Sequence, residues 1–153
     1  MHKRARGWSI WLQAGVLLSI LAGGVYWLAS AGSGSLDRDA LKSTVGELRS
    51  QAAVGRLLSE QSARGQLTRT FLETQVGQAR KGIDSEREEL KSSSVEPEVI
   101  APSMRASTLA TRLDGDYAAL PRSYGDAKTA DALGREFDAL FSELKSLEEG
   151  LGE

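Results

Sequence analysis

Residues 126 to 151 read DAKTADALGREFDALFSELKSLEEGL, and within them Ala130, Leu133, Phe137, Leu140, Leu144, Leu147 and Leu151 recur in strict 3-4 alternation. That spacing sets all seven on one face of an α-helix that begins near Asp126 and runs to about Gly150. A face this apolar has to be covered, so the helix must pack on another; Leu133, Phe137, Leu140, Leu144 and Leu147 form its packing stripe. Three heptads lie at the lower limit for a coiled coil, and Phe141 beside the stripe widens it as a globular bundle would.

Just upstream, Ser103 can cap a helix over 103–120 that carries Ala106, Leu109, Leu113, Tyr117 and Leu120 on one face. Pro121 stops it, and residues 121–125 make a turn. Residues 94–102 hold Pro97 and Pro102 and form a hinge, with Val99 and Ile100 between the prolines expected to dock on the bundle.

Residues 36–93 show a second helical seam, made of Leu41, Val45, Leu48, Ala52, Gly55, Leu58, Ser62, Gly65, Leu72, Val76, Ala79, Ile83 and Leu90. Ser35 can cap it, with Asp37 and Asp39 in the first turn. Its glycines each cost about 1 kcal/mol relative to Ala in a helix interior, so packing has to supply the difference. The segment reads as one long helix or as a pair broken at Ala63-Arg64-Gly65-Gln66, the continuous rod being preferred. Arg56, Glu60 and Arg64, Arg69 with Glu73, and Arg80 with Asp84 repeat at four-residue intervals and read as solvated faces. Glu86-Arg87-Glu88-Glu89 reads as an exposed turn of helix.

Before this domain the composition changes. From Trp8 to Ala31 the chain is WSIWLQAGVLLSILAGGVYWLASA, without a charge. As a helix it would extend roughly 36 Å, enough to cross a hydrocarbon core of about 30 Å. Trp8 and Trp11 at one end and Tyr26 and Trp27 at the other lie where aromatic rings favour the headgroup level. Gly15, Ser19 and Gly23, four apart, offer a small-residue face for a second span, although such residues are also common in spans generally. Residues 1–7 form a basic tail with Lys3, Arg4 and Arg6, and residues 32–35 a flexible linker. The positive-inside rule then puts the amino terminus in the cytoplasm and the remainder outside. The competing reading is a signal peptide cleaved after Ala29-Ser30-Ala31; the apolar run exceeds the usual signal core of about 7 to 15 residues, which favours a retained anchor.

Lys3, Arg4 and Arg6 are the only charged side chains before Asp37; removing them from the 19 bases leaves 16 against 21 acids, a net charge of −5 for residues 36–153. With bases and acids interspersed, no basic stripe exists to release counterions from nucleic acid. The chain has no Cys, and its single His2 lies in the tail, which removes thiolate and imidazole chemistry from the outer part. No cofactor and no metal is expected. Ser142-Glu-Leu-Lys145 matches the spacing of Ser-Lys acyl enzymes without their companion elements. Asp114-Gly-Asp116 opens like a calcium loop but has Gly125 where the twelfth-position Glu belongs. Tyr117 and Tyr124 flank Pro121 and could line a pocket, or simply be core.

The expectation is an all-α protein: a single N-terminal transmembrane helix followed by an elongated extracytoplasmic helical hairpin or bundle with coiled-coil-like seams. The expected setting is a bacterial inner membrane with the bulk of the chain periplasmic, and the expected role a non-enzymatic scaffold or adaptor subunit of an envelope complex. Its partners would be the lipid bilayer and either a second copy or another helical envelope protein. At the level of architecture, a span followed by periplasmic helices resembles phage inner-membrane spanins, division-complex coiled-coil subunits and secretion-system assembly subunits, and no motif chooses among them. A four-helix bundle after a first span also resembles the ligand domain of a bacterial chemoreceptor, which implies a sensor-like protein signalling through a partner.

Overall fold

The computed structural model describes residues 35–92 and 94–152, so the expected anchor, with Trp8, Trp11, Gly15, Ser19, Gly23, Tyr26 and Trp27, lies outside the described residues. Within them the chain forms four α-helices: α1 (Arg38–Ala63), α2 (Arg69–Ser92), α3 (Ile100–Ala119) and α4 (Ala127–Gly150). Single 3-10 turns at Pro97–Val99 and Leu120–Ser123 link the later ones. The fold is all-α, and no β-strand occurs among the described residues. No helix among them is long and apolar enough to cross a membrane.

Asp37, not Ser35, caps α1: its carboxylate accepts the Ala40 N–H at 2.8 Å. The start is displaced because Leu36 is held in extended backbone. Its N–H donates to the Ser94 carbonyl (2.7 Å), and its own carbonyl accepts from Glu96 N–H (3.3 Å), forming a parallel bridge with Val95.

The continuous rod preferred for residues 36–93 is not what forms; the chain breaks after Ala63. Gly65 adopts φ +64°, and the two carbonyls left open at the helix end accept from Gly65 N–H (Ser62 O, 3.0 Å) and Gln66 N–H (Gln61 O, 2.9 Å). That closure needs a left-handed residue, which Gly supplies without a Cβ clash. The Thr68 hydroxyl then accepts from Phe71 N–H (3.3 Å) at the start of α2. Folding back gives Leu72, Val76, Ala79, Ile83 and Leu90 the apolar cover a rod would have denied them, and all five are buried.

α3 starts at Ile100, three residues before Ser103. Pro102 therefore sits in the first helical turn, where its missing N–H would have had no intrahelical partner in any case. Ser103 is not a cap; it is buried, and its hydroxyl donates to the Ile100 carbonyl (2.8 Å). Val99 is buried, whereas Ile100 is 47% exposed. At the far end Gly125 (φ +85°) turns the chain into α4, which Asp126 caps by accepting from Thr129 N–H (3.1 Å) and its hydroxyl (2.6 Å).

The helices run alternately up and down, each packed on its two sequence or closing neighbours, with the α1–α4 pair the most extensive. Ala106, Leu109, Leu113 and Tyr117 of α3 with Leu120 just after it, and Ala130, Phe137, Leu140, Leu144 and Leu147 of α4 with Leu151 at its C-cap, are buried, and Leu133 and Phe141 pack at the edge of the core. The α4 stripe is thus covered by the chain's own helices. The small residues of α1 set its closeness to α4. A Cβ on Gly55 would lie 2.8 Å from Phe137 Cζ, and one on Gly134 would touch Ser59 Cβ at 3.5 Å.

Candidate functional site

With the stripe buried, chemistry has to be sought in the polar groups between helices and on the outer faces. Three of the four helix seams carry Arg–carboxylate bridges. Arg49 to Glu148 (2.7 Å) and Arg56 to Asp138 (2.8 Å) join α1 to α4, and Arg112 to Glu143 (2.8 Å) joins α3 to α4. Arg80 grips both oxygens of Asp114 (2.6 and 3.2 Å) to join α2 to α3. Of the four-residue pairs expected on solvated faces, Arg56–Glu60 (3.9 Å) and Arg69–Glu73 (2.9 Å) form along their helices. Arg80 makes its direct bridge across the seam to Asp114, with Asp84 adding only a weaker attraction, because its face of α2 is turned toward α3.

The α1–α2 seam is made differently. Glu86, expected on an exposed turn, is only 5% exposed, and on α1 the polar Thr44 is buried as well, at 3%. Burial, reinforced by Glu89 and Glu47 and opposed by the Thr44 hydrogen bond, pushes the Glu86 carboxyl up to about 7. The sequence did contain the signal: Ala79, Ile83, Glu86 and Leu90 continue the 4-3 spacing, so Glu86 occupies the seam position between two buried aliphatics.

Tyr117 and Tyr124 do not share a pocket. Tyr117 is a core residue whose hydroxyl donates to the Gln51 carbonyl (2.7 Å), with its ring edge-on to Phe137 at 5.0 Å. Burial drives its phenol well above the ordinary value, so it stays a neutral donor. Tyr124 is exposed, and its hydroxyl reaches the Leu67 carbonyl at 3.4 Å. Ser142 and Lys145 are likewise separate, the hydroxyl donating to Asp138 O (3.0 Å) and the amine facing Glu149 (3.7 Å). Asp114 is engaged by Arg80. Asp116 is held above the usual carboxylate range by burial and by Glu136, against the pull of Arg112. Among the described residues no cluster of three or more His, Asp or Glu groups is placed to hold a metal ion.

Two surface features remain. A shallow groove of about 340 Å³ between α1 and α4 is lined by Arg56, Glu60, Asp131, Gly134, Arg135 and Asp138. On α3, Ile100 and Met104 stand one turn apart at 47% and 68% exposure, at the end of the bundle where Leu36 leads into it. Compared with known protein families, with characterised proteins and with solved structures, the chain matches none, and the bundle itself has to carry the functional argument.

Proposed function

We propose that the chain is a membrane-anchored, non-enzymatic helical scaffold or adaptor subunit of a bacterial envelope complex, acting through helix–helix association. The observation that carries this reading is the exposed Ile100–Met104 pair. Large apolar side chains one helical turn apart on an otherwise polar outer face are what a partner helix grips. The anchored part of the reading is supported by the sequence, in which the uncharged Trp8–Ala31 stretch precedes the bundle. The interior is already filled by the chain's own side chains, so association would use this outer face and, within lipid, the Gly15, Ser19 and Gly23 face.

The test is to express the full chain with a photo-crosslinking residue at position 104, wash the membranes in high salt, and irradiate. Retention in the membrane together with a discrete adduct, either to a second copy or to an envelope protein, is expected. Release by salt as a polypeptide beginning at Gly32, or irradiation without an adduct, overturns the reading.

The charged α1–α4 groove supports a second reading, an extracytoplasmic ligand-binding bundle that signals through a partner. Arg56 and Arg135 beside Asp131 and Asp138 would suit a small zwitterion, such as an amino acid. A rise in melting temperature with such compounds, lost in Arg135→Gln, is expected under that reading alone.

A further inference from the structure

The outward face of α3 is built unlike those of its neighbours. Opposite the buried Ala106, Leu109, Leu113 and Tyr117, the helix presents Ile100, Met104, Thr108, Thr111 and Gly115 to solvent, spaced four, four, three and four residues apart. None of them is charged, and the half-buried Ala118 and Ala119 continue the line. On α2 the outward line carries Lys81 and Glu88, and on α4 Lys128 and Arg135. That of α1 holds one large apolar side chain, Leu57 at 38% exposure.

Along α3 the line is graded in size. Its first turns carry Ile100 and Met104, 47% and 68% exposed. Its last turns carry the two alanines and Gly115, where a Cβ would meet nothing within 4 Å. A second α3 laid antiparallel, about a twofold axis between Leu109 and Ala110, would set each large residue on a small one. Met104 then faces Gly115, Ile100 faces Ala119 and Thr108 faces Thr111 of the second copy. A parallel pair would set Met104 on Met104 and leave the notch at Gly115 unfilled.

Charge sorts the same way. Glu96 and Glu98 are exposed at the start of α3 and Arg122 just beyond its end, and none of the three makes an ion pair among the described residues. The flank that faces α4, marked by the bridge from Arg112 to Glu143, also carries Arg105 and Asp116, which form no such pair either. Antiparallel pairing about a twofold axis brings like flanks together. Arg105 of each copy then meets Asp116 of the other, and Arg122 meets Glu96 and Glu98.

We infer that the outward face of α3 binds a second copy of this chain as an antiparallel pair, with Met104 of each copy seated on Gly115 of the other. The inference rests on the reading of Ile100 and Met104 as an association face and names its occupant. One helix pair about 30 Å long buries less than a standard interface, so pairing is expected between copies held in one membrane, where confinement raises their effective concentration.

The chain has no Cys, so engineered thiols report this geometry without background. Two tagged forms of the full chain, one with Met104→Cys and the other with Gly115→Cys, are co-expressed and oxidised in their membranes. The mixed 104–115 disulfide is expected to exceed either like-with-like product about tenfold, because like positions stand about 16 Å apart along the axis of this pair, beyond disulfide reach. Arg122→Glu is expected to cut the mixed product several-fold, and Glu98→Arg in the same chain to restore it. All four substituted positions are exposed, so the fold is expected to tolerate each change. A mixed product no more abundant than the like-with-like ones, one indifferent to Arg122→Glu, or one that Glu98→Arg does not restore overturns the inference. A photo-adduct from position 104 to an envelope protein without any 104–115 disulfide also overturns it, but leaves the association reading standing. Absence of both adduct and disulfide removes the two together.

Discussion

The hydroxyl of Tyr117 on α3 donates a 2.7 Å hydrogen bond to the backbone carbonyl of Gln51 in the middle of α1, 66 residues away. This bond runs diagonally through the bundle, between helices that are not neighbours around its perimeter. A helical carbonyl keeps a second lone pair after its own i+4 bond, and the phenol uses it. The same ring meets Phe137 of α4 edge-on at 5.0 Å, so one side chain ties together three of the four helices.

Tyr117→Phe keeps the ring and removes the donor. Because the Gln51 carbonyl retains its helical partner, no buried acceptor is left orphaned, and the expected loss is about 1 kcal/mol. Tyr117→Ala also removes the ring from the core and should cost about 3 to 5 kcal/mol. Urea titrations of both variants check the difference; equal midpoints for Phe and wild type would show that the bond contributes nothing.

Two glycines of similar local context are expected to respond in opposite directions. At Gly55 a methyl group would collide with the Phe137 ring, and Gly55→Ala should destabilise by about 1 to 3 kcal/mol through overpacking, despite the better helix propensity of Ala. At Gly77 a Cβ would meet nothing within 4 Å, so Gly77→Ala should stabilise by roughly 0.5 to 1 kcal/mol. Thermal melts of the two variants, side by side, decide it: two shifts of the same sign would contradict the packing argument.

The Gly55–Phe137 contact also shows what the sequence could and could not reveal. The 3-4 period from Ala130 to Leu151 and the seam from Leu41 to Ser62 mark both helices and their buried faces, since burial on one side of a helix leaves its mark within one segment. A close approach leaves no such mark. Gly55 looks like a weakness in α1 until Phe137, 82 positions later, is placed against it. Gly65 was legible as a break but not as the left-handed residue that closes α1, because that depends on α2 finding cover by folding back. Glu86 stood in register with Ile83 and Leu90, yet its charge type argued for solvent, and only the packed bundle shows that register prevailed.

The Arg80–Asp114 bridge is two-pronged, but Arg80 is about half exposed and water screens it. A double-mutant cycle with Arg80→Gln and Asp114→Asn is expected to give a coupling of about 0.5 to 1 kcal/mol, falling as salt is added. A coupling near zero at low salt would mean the bridge orients α2 on α3 without stabilising it.

Global stability should carry the imprint of Glu86. In the unfolded chain its carboxyl titrates near 4.5, and in the bundle burial beside Glu89 and Glu47 raises it to about 7. The folded state therefore binds the proton more tightly, and over that interval it holds more protons than the unfolded state, so unfolding free energy falls as pH rises. Stability from this group is fully present below about pH 4.5, declines through the interval, and levels off above about pH 7, a total of order 3 kcal/mol at most. Asp126 works the other way: hydrogen bonds from Thr129 lower its carboxyl, so its contribution disappears as the solution is acidified below the ordinary carboxylate range. The two windows are separated, which makes the Glu86 slope measurable. Denaturation at intervals from about pH 5 to about pH 8 should show stability decreasing in the wild-type chain and nearly constant in Glu86→Gln, with the variant the more stable at the alkaline end. A wild-type profile that rises over this range would mean that Glu86 is ionised and adequately solvated in the folded bundle.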